Sequence, residues 1–414
     1  MGLKAVFFDL DDTLYTSFQA GDAYAYEKLE EWAISTFGDK GKGFADAFRV
    51  NRKRLARQQP AMPPTHDRVL FAQGALERMG LNAVRYSREA FRVYWDAVFA
   101  KMTLRPGVAE FLDELRAAGV KVAICTNMLA DIQMEKLEYL GIADKVDCLV
   151  TSEEAGVDKP GSAIFWLAMH KCRCLPEETV LTNATGAYGL AISEYMVAVW
   201  LELLKKLHLY RDVQRTGKWC DLGQVRSAWN STVLVLGLGD IGGEFAKRAK
   251  ALGARVIGVR RTGTDKPDFV DELIHTDKLD EYLPQADCVA ITLPGTTATK
   301  GMFDAERMAK MKDGAILLNV GRGMIVDTDA LCAALENGKL AGAGVDVTDP
   351  EPLPTDHPLW KMENAVITPH ISGGYHLQET HDRIVRIMAE NLKRFLAGEP
   401  LRNVIDFSTG YRKL

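Results

Sequence analysis

The feature that most constrains the fold of this chain is a repeated alternation of short β-branched runs with longer amphipathic stretches. The runs predicted as strands are KAVFFDL, KVAICTN, DCLVTS and ETVLTN in the first half, and STVLVLG, ARVIGVR, CVAITLP, AILLNVG, GAGVDV and AVITPH in the second. Strands separated by helix-length segments favour parallel pairing with helical crossovers, because hairpins need only short turns. The sequence therefore predicts an α/β protein built on parallel sheets.

Length and composition limit the class of protein. A chain of 414 residues has room for two or three domains, and its apolar fraction of 47% and charged fraction of 26% are ordinary for a globular protein. The net charge of -5 gives no reason to expect a nucleic-acid partner. The apolar runs are too short to cross a bilayer, and Met1 leads directly into a strand instead of a signal peptide. We expect no membrane partner and a cytoplasmic location.

The cysteines show no metal-binding pattern. Seven are scattered along the chain, and the close pair Cys172 and Cys174 lacks a second pair or nearby histidines at zinc spacing. In a reducing compartment we interpret all seven as thiols without a chemical role.

A helical insertion interrupts the first half. Between residues 15 and 103 the strand signal disappears and apolar residues recur at helical spacing, until LRPG reopens the α/β pattern. The basic run NRKRLARQQP within it admits two interpretations, a nucleic-acid patch or the solvated face of one helix. The second is favoured, because the rest of the chain is acidic.

Two aspartates end the first predicted strand. In VFFDLDDTLY, Asp9 and Asp11 are two residues apart and share one side of the chain at the edge where parallel sheets place their chemistry. Such carboxylates can bind Mg²⁺, and one can attack phosphorus while the other handles the proton. Thr126 and Lys159 follow later strands and could bind phosphate oxygens. The simpler alternative for the aspartates is a turn and a helix cap.

This series of motifs, with a helical insert after the first, resembles the haloacid dehalogenase-like phosphohydrolases with a helical cap. The resemblance covers residues 1–181, with a Rossmannoid core over 1–14 and 104–181 and a cap over 15–103. It implies that Asp9 is the nucleophile, Asp11 the general acid and base, and that both belong to a Mg²⁺ site. Thr126 and Lys159 would then be the phosphate-binding residues.

The fourth motif of that family is not matched. After a strand such as ETVL the family continues to a glycine and an acid that helps to hold Mg²⁺, whereas here Thr185 lies near the expected acid and the next carboxylate is Glu194. Loss of one charged ligand weakens a site for a hard divalent cation. We therefore expect an impaired phosphatase.

The second half opens on a glycine-rich turn between a strand and a helix. The run Gly237-Leu238-Gly239-Asp240-Ile241-Gly242 has the spacing of a dinucleotide-binding motif in its required context. The glycines permit a tight turn and a close approach of the pyrophosphate to the helix N-terminus, where free N–H groups favour an anion. Dinucleotide binding is predicted.

The second strand of this half ends in Arg260, Arg261 and Thr262, where an NAD-binding protein has an acid. Two guanidinium groups and a hydroxyl suit the 2′-phosphate of NADP, and no carboxylate is present to grip a free ribose hydroxyl. NADP is the expected cofactor. If the arginines are only surface residues, selectivity is loose and NAD is also used.

Three further residues fall after predicted strands. Arg322 follows AILLNVG, Glu351 lies in the loop after GAGVDV, and His370 follows AVITP. Arginine can grip a carboxylate, histidine can pass a proton to or from an oxygen, and a glutamate can orient the histidine. Singly, each has an ordinary alternative, respectively a helix-terminus cation, a solvated loop residue and a core imidazole.

Their order and context resemble the D-isomer-specific 2-hydroxyacid dehydrogenases, continuously from about Leu181 to Pro400. The resemblance implies an NAD(P)-dependent oxidoreductase that interconverts 2-oxo and D-2-hydroxy acids over residues 182–414, with a doubly wound Rossmann core over 187–372. Arg322 would hold the substrate, His370 would be the acid and base, and Glu351 its partner. The remaining implied positions are Asp346 near the nicotinamide amide, Thr292, Leu293 and Pro294 along the cofactor, a dimer helix over 187–207 and a C-terminal helix over 376–397.

One part of that family is not recognisable. Its members begin with a flavodoxin-like segment that closes over the substrate, and the hydrolase-like half occupies this place, with a seam predicted near Leu181 in a single parallel strand. Three hypotheses follow: a dehydrogenase, a Mg²⁺-dependent phosphatase, and a chimeric NADP-binding protein without useful turnover.

Overall fold

The computed structural model describes residues 3–16, 18–59, 62–159, 161–175, 180, 182–374, 377–406 and 411–412. The chain divides into two compact units, Met1–Val180 and Leu181–Leu414. Each contains a parallel sheet connected through helices, so the predicted α/β class is confirmed.

The first unit is built on a parallel sheet with the strand order β1-β4-β5. These strands are β1 (Ala5–Phe8), β4 (Lys121–Thr126) and β5 (Cys148–Thr151). The central strand β4 is buried from Val122 to Thr126, as expected for an apolar run covered on both faces. The helices that accompany the sheet are α5 (Val108–Ala117), α6 (Ala130–Tyr139), α7 (Ser152–Ala155) and α8 (Ser162–Cys172).

Four helices form the insertion between β1 and β4. They are α1 (Phe18–Phe37), α2 (Phe44–Gln58), α3 (Arg68–Arg78) and α4 (Ala83–Phe99), and the short strands β2 (Tyr15–Thr16) and β3 (Thr103–Leu104) pair antiparallel at its two ends. Aromatic side chains fill its interior, with Phe48 stacked on Tyr94. Arg52 in the basic run forms an ion pair with Asp22 at 3.2 Å, so the positive charge of Arg52 is paired within the insertion.

The second unit is a seven-stranded parallel sheet in the order β12-β11-β10-β9-β6-β7-β8. The first strand of this unit, β6, lies in the interior between β7 and β9, so successive connections leave it in opposite directions. This is the doubly wound arrangement, and ligands bind it outside the carboxyl ends of the strands where the order reverses. The strands are β6 (Thr232–Leu236), β7 (Arg255–Arg260), β8 (Glu272–His275), β9 (Cys288–Ile291), β10 (Ala315–Asn319), β11 (Leu340–Val345) and β12 (Ala365–Ile367).

Helices cover both faces of this sheet. Close packing of α9 on β11 requires glycine, because a Cβ at Gly344 would lie 2.3 Å from Val199 Cγ1. The helices are α9 (Gly189–Lys205), α10 (Leu207–Arg215), α11 (Asp240–Ala251), α12 (Leu279–Tyr282), α13 (Ala305–Lys310), α14 (Thr328–Glu336) and α15 (Gln378–Leu396), followed by the strands β13 (Ile405–Asp406) and β14 (Tyr411–Arg412). In the part of the chain that the structure describes, no helix is both long and apolar enough to cross a membrane.

The structure describes only part of the predicted strand over 178–183. Residues 178, 179 and 181, and with them the predicted seam, lie outside the described residues. Thr182 forms an isolated antiparallel bridge with Val404, so the prediction of parallel pairing is wrong at this residue. Asn403 supports the bridge, because its side-chain amide donates to the carbonyl of Thr185 at 2.7 Å.

Candidate functional site

A glycine turn joins β6 to α11 at the carboxyl edge of the large sheet. Gly237 has φ +92°, a conformation that side-chain-bearing residues rarely adopt. A Cβ at Gly242 would lie 1.8 Å from the Gly237 carbonyl oxygen, so the turn closes only with glycine there. Gly239 precedes the helix and faces open space. The turn therefore leaves room for an anion at the N-terminus of α11.

Thr292 fixes this turn to the neighbouring strand. It follows β9, and its hydroxyl donates to the carbonyl oxygens of Leu236 at 2.9 Å and Gly237 at 2.8 Å. Leu293 is partly buried beside Gly237, and Pro294 is exposed. All three lie where the strand order reverses, so their predicted contacts with the cofactor fit the geometry and stay predictions.

Asp240 has a structural contact that the sequence did not predict. Its carboxylate accepts hydrogen bonds from the backbone N–H groups of Gly186 at 3.0 Å and Gly189 at 2.9 Å, and so joins the start of α9 to α11. Ile241 is partly buried against the adjacent core. The side chain of Asp240 is thus engaged within the protein, and its predicted role toward the cofactor remains untested.

The predicted phosphate-binding arginines lie at the end of β7. Arg260 is its last residue, and its Nη1 donates to the carbonyl of Asp265 at 3.0 Å. Arg261 and Thr262 are exposed in the loop that follows. Because β7 adjoins β6, this loop and the glycine turn lie at the same sheet edge.

A direct contact joins two of the predicted catalytic residues, His370 and Glu351. The Nδ1 atom of His370 lies 2.7 Å from Glu351 Oε1, and the two side chains are 45% and 43% exposed. With Nδ1 bonded, Nε2 is the ring nitrogen that can face a substrate oxygen. His370 has φ +55°, so its backbone is held in the left-handed region.

Arg322 lies two strands away, after β10, and is exposed. Its Nη1 donates to the carbonyl of Gly321 at 2.7 Å. Buried Asn319 shapes this loop, because its amide donates to the Arg322 carbonyl at 3.2 Å and accepts from Gly321 N–H at 3.1 Å. A Cβ at Gly323 would lie 1.9 Å from the Thr348 carbonyl oxygen, so the loops after β10 and β11 are in close contact.

Asp346 is buried at the end of β11, with 2% of its surface exposed. Its carboxylate accepts from the backbone N–H groups of Ile371 at 2.9 Å and Ser372 at 3.0 Å. This carboxylate therefore shapes the loop that carries His370, and its predicted proximity to the nicotinamide stays a prediction. The Thr368 hydroxyl also donates to Asp346 at 2.5 Å, and the Tyr195 hydroxyl lies 2.6 Å from that of Thr368. The sequence did not single out Asn319, Thr368 or Tyr195, for which the available signal was a polar residue in an otherwise apolar strand end or helix face.

In the first unit, Lys159 contacts Asp9. Its ammonium lies 2.6 Å from Asp9 Oδ1 and donates to the Cys125 carbonyl at 2.9 Å. Thr13 donates to the other oxygen of Asp9 at 3.2 Å. The structure thus brings the predicted nucleophile and the predicted phosphate-binding lysine together.

Asp11 is held by residues that the sequence did not single out. Fully buried Lys136 contacts its carboxylate at 2.5 Å, Gln133 donates to it at 2.8 Å, and the Tyr15 hydroxyl also donates. Burial alone would raise the pKa of Asp11, but the Lys136 charge and these hydrogen bonds outweigh it and hold the pKa below its usual value. Thr126 is also buried, and its hydroxyl accepts from Gln133 at 2.6 Å.

These contacts do not fit a Mg²⁺ site. Within the described ranges, no group of three acidic, histidine or cysteine side chains is placed to hold a metal. Both oxygens of Asp11 already accept hydrogen bonds from protein donors. Thr185, near the expected third ligand, belongs to the second unit and bonds Asn183. A hard cation that needs several free oxygen ligands is not accommodated.

In the second unit, a glycine turn at the switch point and a histidine–glutamate pair at the same sheet edge define a nicotinamide-dinucleotide-dependent oxidoreductase. Comparison with known proteins agrees with this class. Residues 197–372 match the model of the D-isomer specific 2-hydroxyacid dehydrogenase NAD binding domain. Residues 3–181 match the model of the haloacid dehalogenase-like hydrolases, so both predicted resemblances are confirmed.

The matches to this chain extend over most of the length of each individual relative. The glyoxylate reductase of Korarchaeum cryptofilum is 33% identical over 55% of this chain and 69% of its own. The hydroxypyruvate reductase of Blautia hydrogenotrophica is 34% identical over 61% of this chain and 77% of its own. The dehydrogenase from Xanthobacter autotrophicus, solved with NADPH and MES, is 33% identical with a TM-score of 0.50, covering 55% of this chain and 93% of that one. This chain belongs to the D-isomer-specific 2-hydroxyacid dehydrogenase family.

Proposed function

We propose that the second unit reduces a small 2-oxo acid to the D-2-hydroxy acid with NADPH, and catalyses the reverse reaction. The contact between His370 and Glu351 carries this proposal, because it orients an imidazole, a group able to act as acid and base, at the edge where the glycine turn lies. The names of the relatives support glyoxylate and hydroxypyruvate as the first acids to test.

The roles of the residues follow from their chemistry. Arg322 binds the substrate carboxylate through its guanidinium, which is exposed at the end of β10. His370 gives a proton from Nε2 to the carbonyl oxygen while Glu351 holds Nδ1 and stabilises the charged ring. The nicotinamide, when bound, supplies the hydride to the carbonyl carbon. The product is one hydroxy acid and one oxidised cofactor.

The preference for NADP rests on Arg260, Arg261 and Thr262. Two guanidinium groups and a hydroxyl at the end of β7 complement a 2′-phosphate. Gly239, in the turn that Gly237 and Gly242 close, faces open space in which the pyrophosphate would lie. A structure of a relative solved with NADPH supports the same preference.

The test follows NADPH absorbance with glyoxylate, hydroxypyruvate, pyruvate and bulkier 2-oxo acids. Turnover by the natural chain that is lost in Arg322→Ala and His370→Ala supports the proposal. NADPH binding without turnover of any acid contradicts it and favours the alternative of a cofactor-binding protein without useful chemistry.

A second candidate function is phosphoester hydrolysis by the first unit. The contact between Lys159 and Asp9 favours it, because the ammonium lies 2.6 Å from the carboxylate that would attack phosphorus. The poor fit for Mg²⁺ argues against rapid turnover. Phosphate release from an aryl phosphate, with and without Mg²⁺, measures it, and Asp9→Asn must abolish that release if the candidate is correct.

We also propose that the chain forms a homodimer through its cofactor-binding unit, in the cytoplasm. Large apolar side chains are exposed in the segment after α9, among them Leu207, Trp219 and Val225. A dimer would have twice the chain mass of 45.8 kDa, which light scattering measures directly. A monomer at micromolar concentration would contradict the dimer.

A further inference from the structure

A chain of three polar side chains connects α9 to the catalytic edge of the sheet. The Tyr195 hydroxyl lies 2.6 Å from Thr368 Oγ1, and Thr368 Oγ1 lies 2.5 Å from Asp346 Oδ1. The three residues come from α9, the end of β12 and the end of β11. None of the catalytic roles described above uses Tyr195 or Thr368.

The direction of these hydrogen bonds can be deduced. The Thr368 hydroxyl donates its single proton to Asp346 Oδ1. Thr368 then has only lone pairs for Tyr195, and the phenol must donate. Burial raises the pKa of Tyr195 to about 12, with Asp346 adding to the shift and the Thr368 hydrogen bond opposing it. The phenol therefore keeps its proton at neutral pH and remains a donor.

Asp346 transmits this restraint to the histidine loop. Its carboxylate accepts from the backbone of Ile371 and from the backbone and side chain of Ser372. Its own carbonyl accepts from His370 N–H at 2.8 Å. These bonds surround His370, whose φ is +55°, a conformation that needs support when the residue is not glycine.

We propose that Tyr195 is a positioning residue for His370, acting through Thr368 and Asp346. The inference rests on the proposed dehydrogenase function for its kinetic consequence. Without the phenolic donor, the Thr368 hydroxyl that donates to Asp346 Oδ1 is no longer held in place. The loop then samples orientations in which Nε2 of His370 does not face the substrate. Displacements of this kind lower the rate of the chemical step more than they weaken cofactor binding.

The alternative is that Tyr195 only stabilises the packing of α9. The two roles differ in what each variant should change. A packing role predicts lower thermal stability and weaker NADPH binding together. A positioning role predicts a lower kcat with unchanged NADPH affinity and faster hydrogen exchange confined to the loop around His370.

The experiment compares Tyr195→Phe, Thr368→Val and Thr368→Ser with Tyr282→Phe as the matched control. Tyr282→Phe also removes a hydroxyl that donates to a side chain, that of Glu272, but Tyr282 lies in α12 and not in α9. We expect kcat to fall about tenfold to a hundredfold in Tyr195→Phe and in Thr368→Val. The variant that combines both substitutions should have a kcat no lower than that of either single variant. Thr368→Ser keeps the hydroxyl and should retain most of the rate, as should Tyr282→Phe.

Amide exchange at residues 370–372 provides the readout that does not need turnover. Faster exchange there in Tyr195→Phe and Thr368→Val, but not in Thr368→Ser, supports the inference even if the natural chain proves inactive, an outcome that refutes only the proposed function. Unchanged exchange and unchanged kcat in Tyr195→Phe would overturn the inference. A loss of kcat that is matched by equal losses in NADPH affinity and thermal stability would also overturn it.

Discussion

A Cβ atom at Gly242 would lie 1.8 Å from the carbonyl oxygen of Gly237, so these two glycines are in direct backbone contact across the turn. The clash involves backbone and not the end of a flexible side chain, so the turn itself must move to accept any other residue. Gly239 differs, because a Cβ there meets no atom within 4 Å. The fold should therefore accept a methyl group at Gly239, whereas this methyl group would obstruct a bound pyrophosphate.

This difference gives the first prediction. Gly239→Ala should retain the thermal stability of the natural chain and weaken NADPH binding by about tenfold or more, measured by fluorescence titration. Gly243→Ala is the matched control, because Gly243 lies in α11 and its Cβ would meet only an ordinary contact, with the carbonyl oxygen of Leu238 at 3.8 Å. Equal NADPH affinity in the two variants would show that no pyrophosphate approaches Gly239.

The second prediction concerns the choice between cofactors. Replacing both Arg260 and Arg261 with alanine should weaken NADPH binding by about tenfold to a hundredfold and leave NADH binding unchanged, because only NADPH carries the 2′-phosphate. Arg255→Ala is the control, since Arg255 begins the same strand and contacts Glu272 at 2.6 Å. The proposed preference fails if the natural chain binds NADH more tightly than NADPH.

The third prediction tests the contact of Glu351 with His370. Glu351→Gln keeps the size of the side chain but removes the negative charge that stabilises a protonated imidazole. We expect kcat to fall about 100-fold at unchanged NADPH affinity. Glu336→Gln, at the exposed end of α14, should have no effect. A rate for Glu351→Gln within twofold of the natural chain would mean that the negative charge of Glu351 does not assist the proton transfer.

The fourth prediction concerns the buried ion pair of the first unit. Asp11→Asn and Lys136→Met each leave one uncompensated charge or donor in a buried site, so each should lower the free energy of unfolding by about 3 kcal/mol. The double variant removes both charges and should recover much of the loss. Urea melts of the four proteins measure the coupling directly, and additive losses would contradict a direct contact.

The same pair has a defined pH dependence. Because the folded pKa of Asp11 is lowered, its stabilisation is complete above the usual pKa of 3.8 and is lost as the pH falls through the lowered value. The difference in stability between the natural chain and Asp11→Asn should therefore be constant from about pH 6 to pH 8 and shrink below about pH 4. If the difference in stability shrinks between pH 6 and pH 8, the titration of a group other than Asp11 causes the pH dependence.

Local sequence patterns predicted the elements that local physics determines. The apolar runs gave β6 and β7 nearly to the residue, and the spacing of Gly237, Gly239 and Gly242 indicated the turn between strand and helix. Strand β8 (Glu272–His275) was not predicted, because its short sequence ELIH is half polar and shows no apolar run. Its position at the edge of the sheet explains why so polar a strand is accepted.

The contacts that complete each site could not be predicted in this way. Lys136 is separated from Asp11 by 125 residues, and Tyr195 from Thr368 by 173. In the sequence, Lys136 is an ordinary charged residue of an amphipathic helix, and nothing in its neighbours shows that it is fully buried. Periodicity indicates which face of a helix is apolar, but the partner of a polar side chain depends on how distant elements pack.

The stoichiometry and stereochemistry of hydroxypyruvate reduction by the full chain with NADPH test the proposed reaction most directly. We expect one D-glycerate formed for each NADPH oxidised, and no product with His370→Ala, in which the acid that protonates the carbonyl oxygen is absent. Formation of L-glycerate, or an unchanged rate in His370→Ala, would contradict the assignment of this site as a D-2-hydroxyacid dehydrogenase.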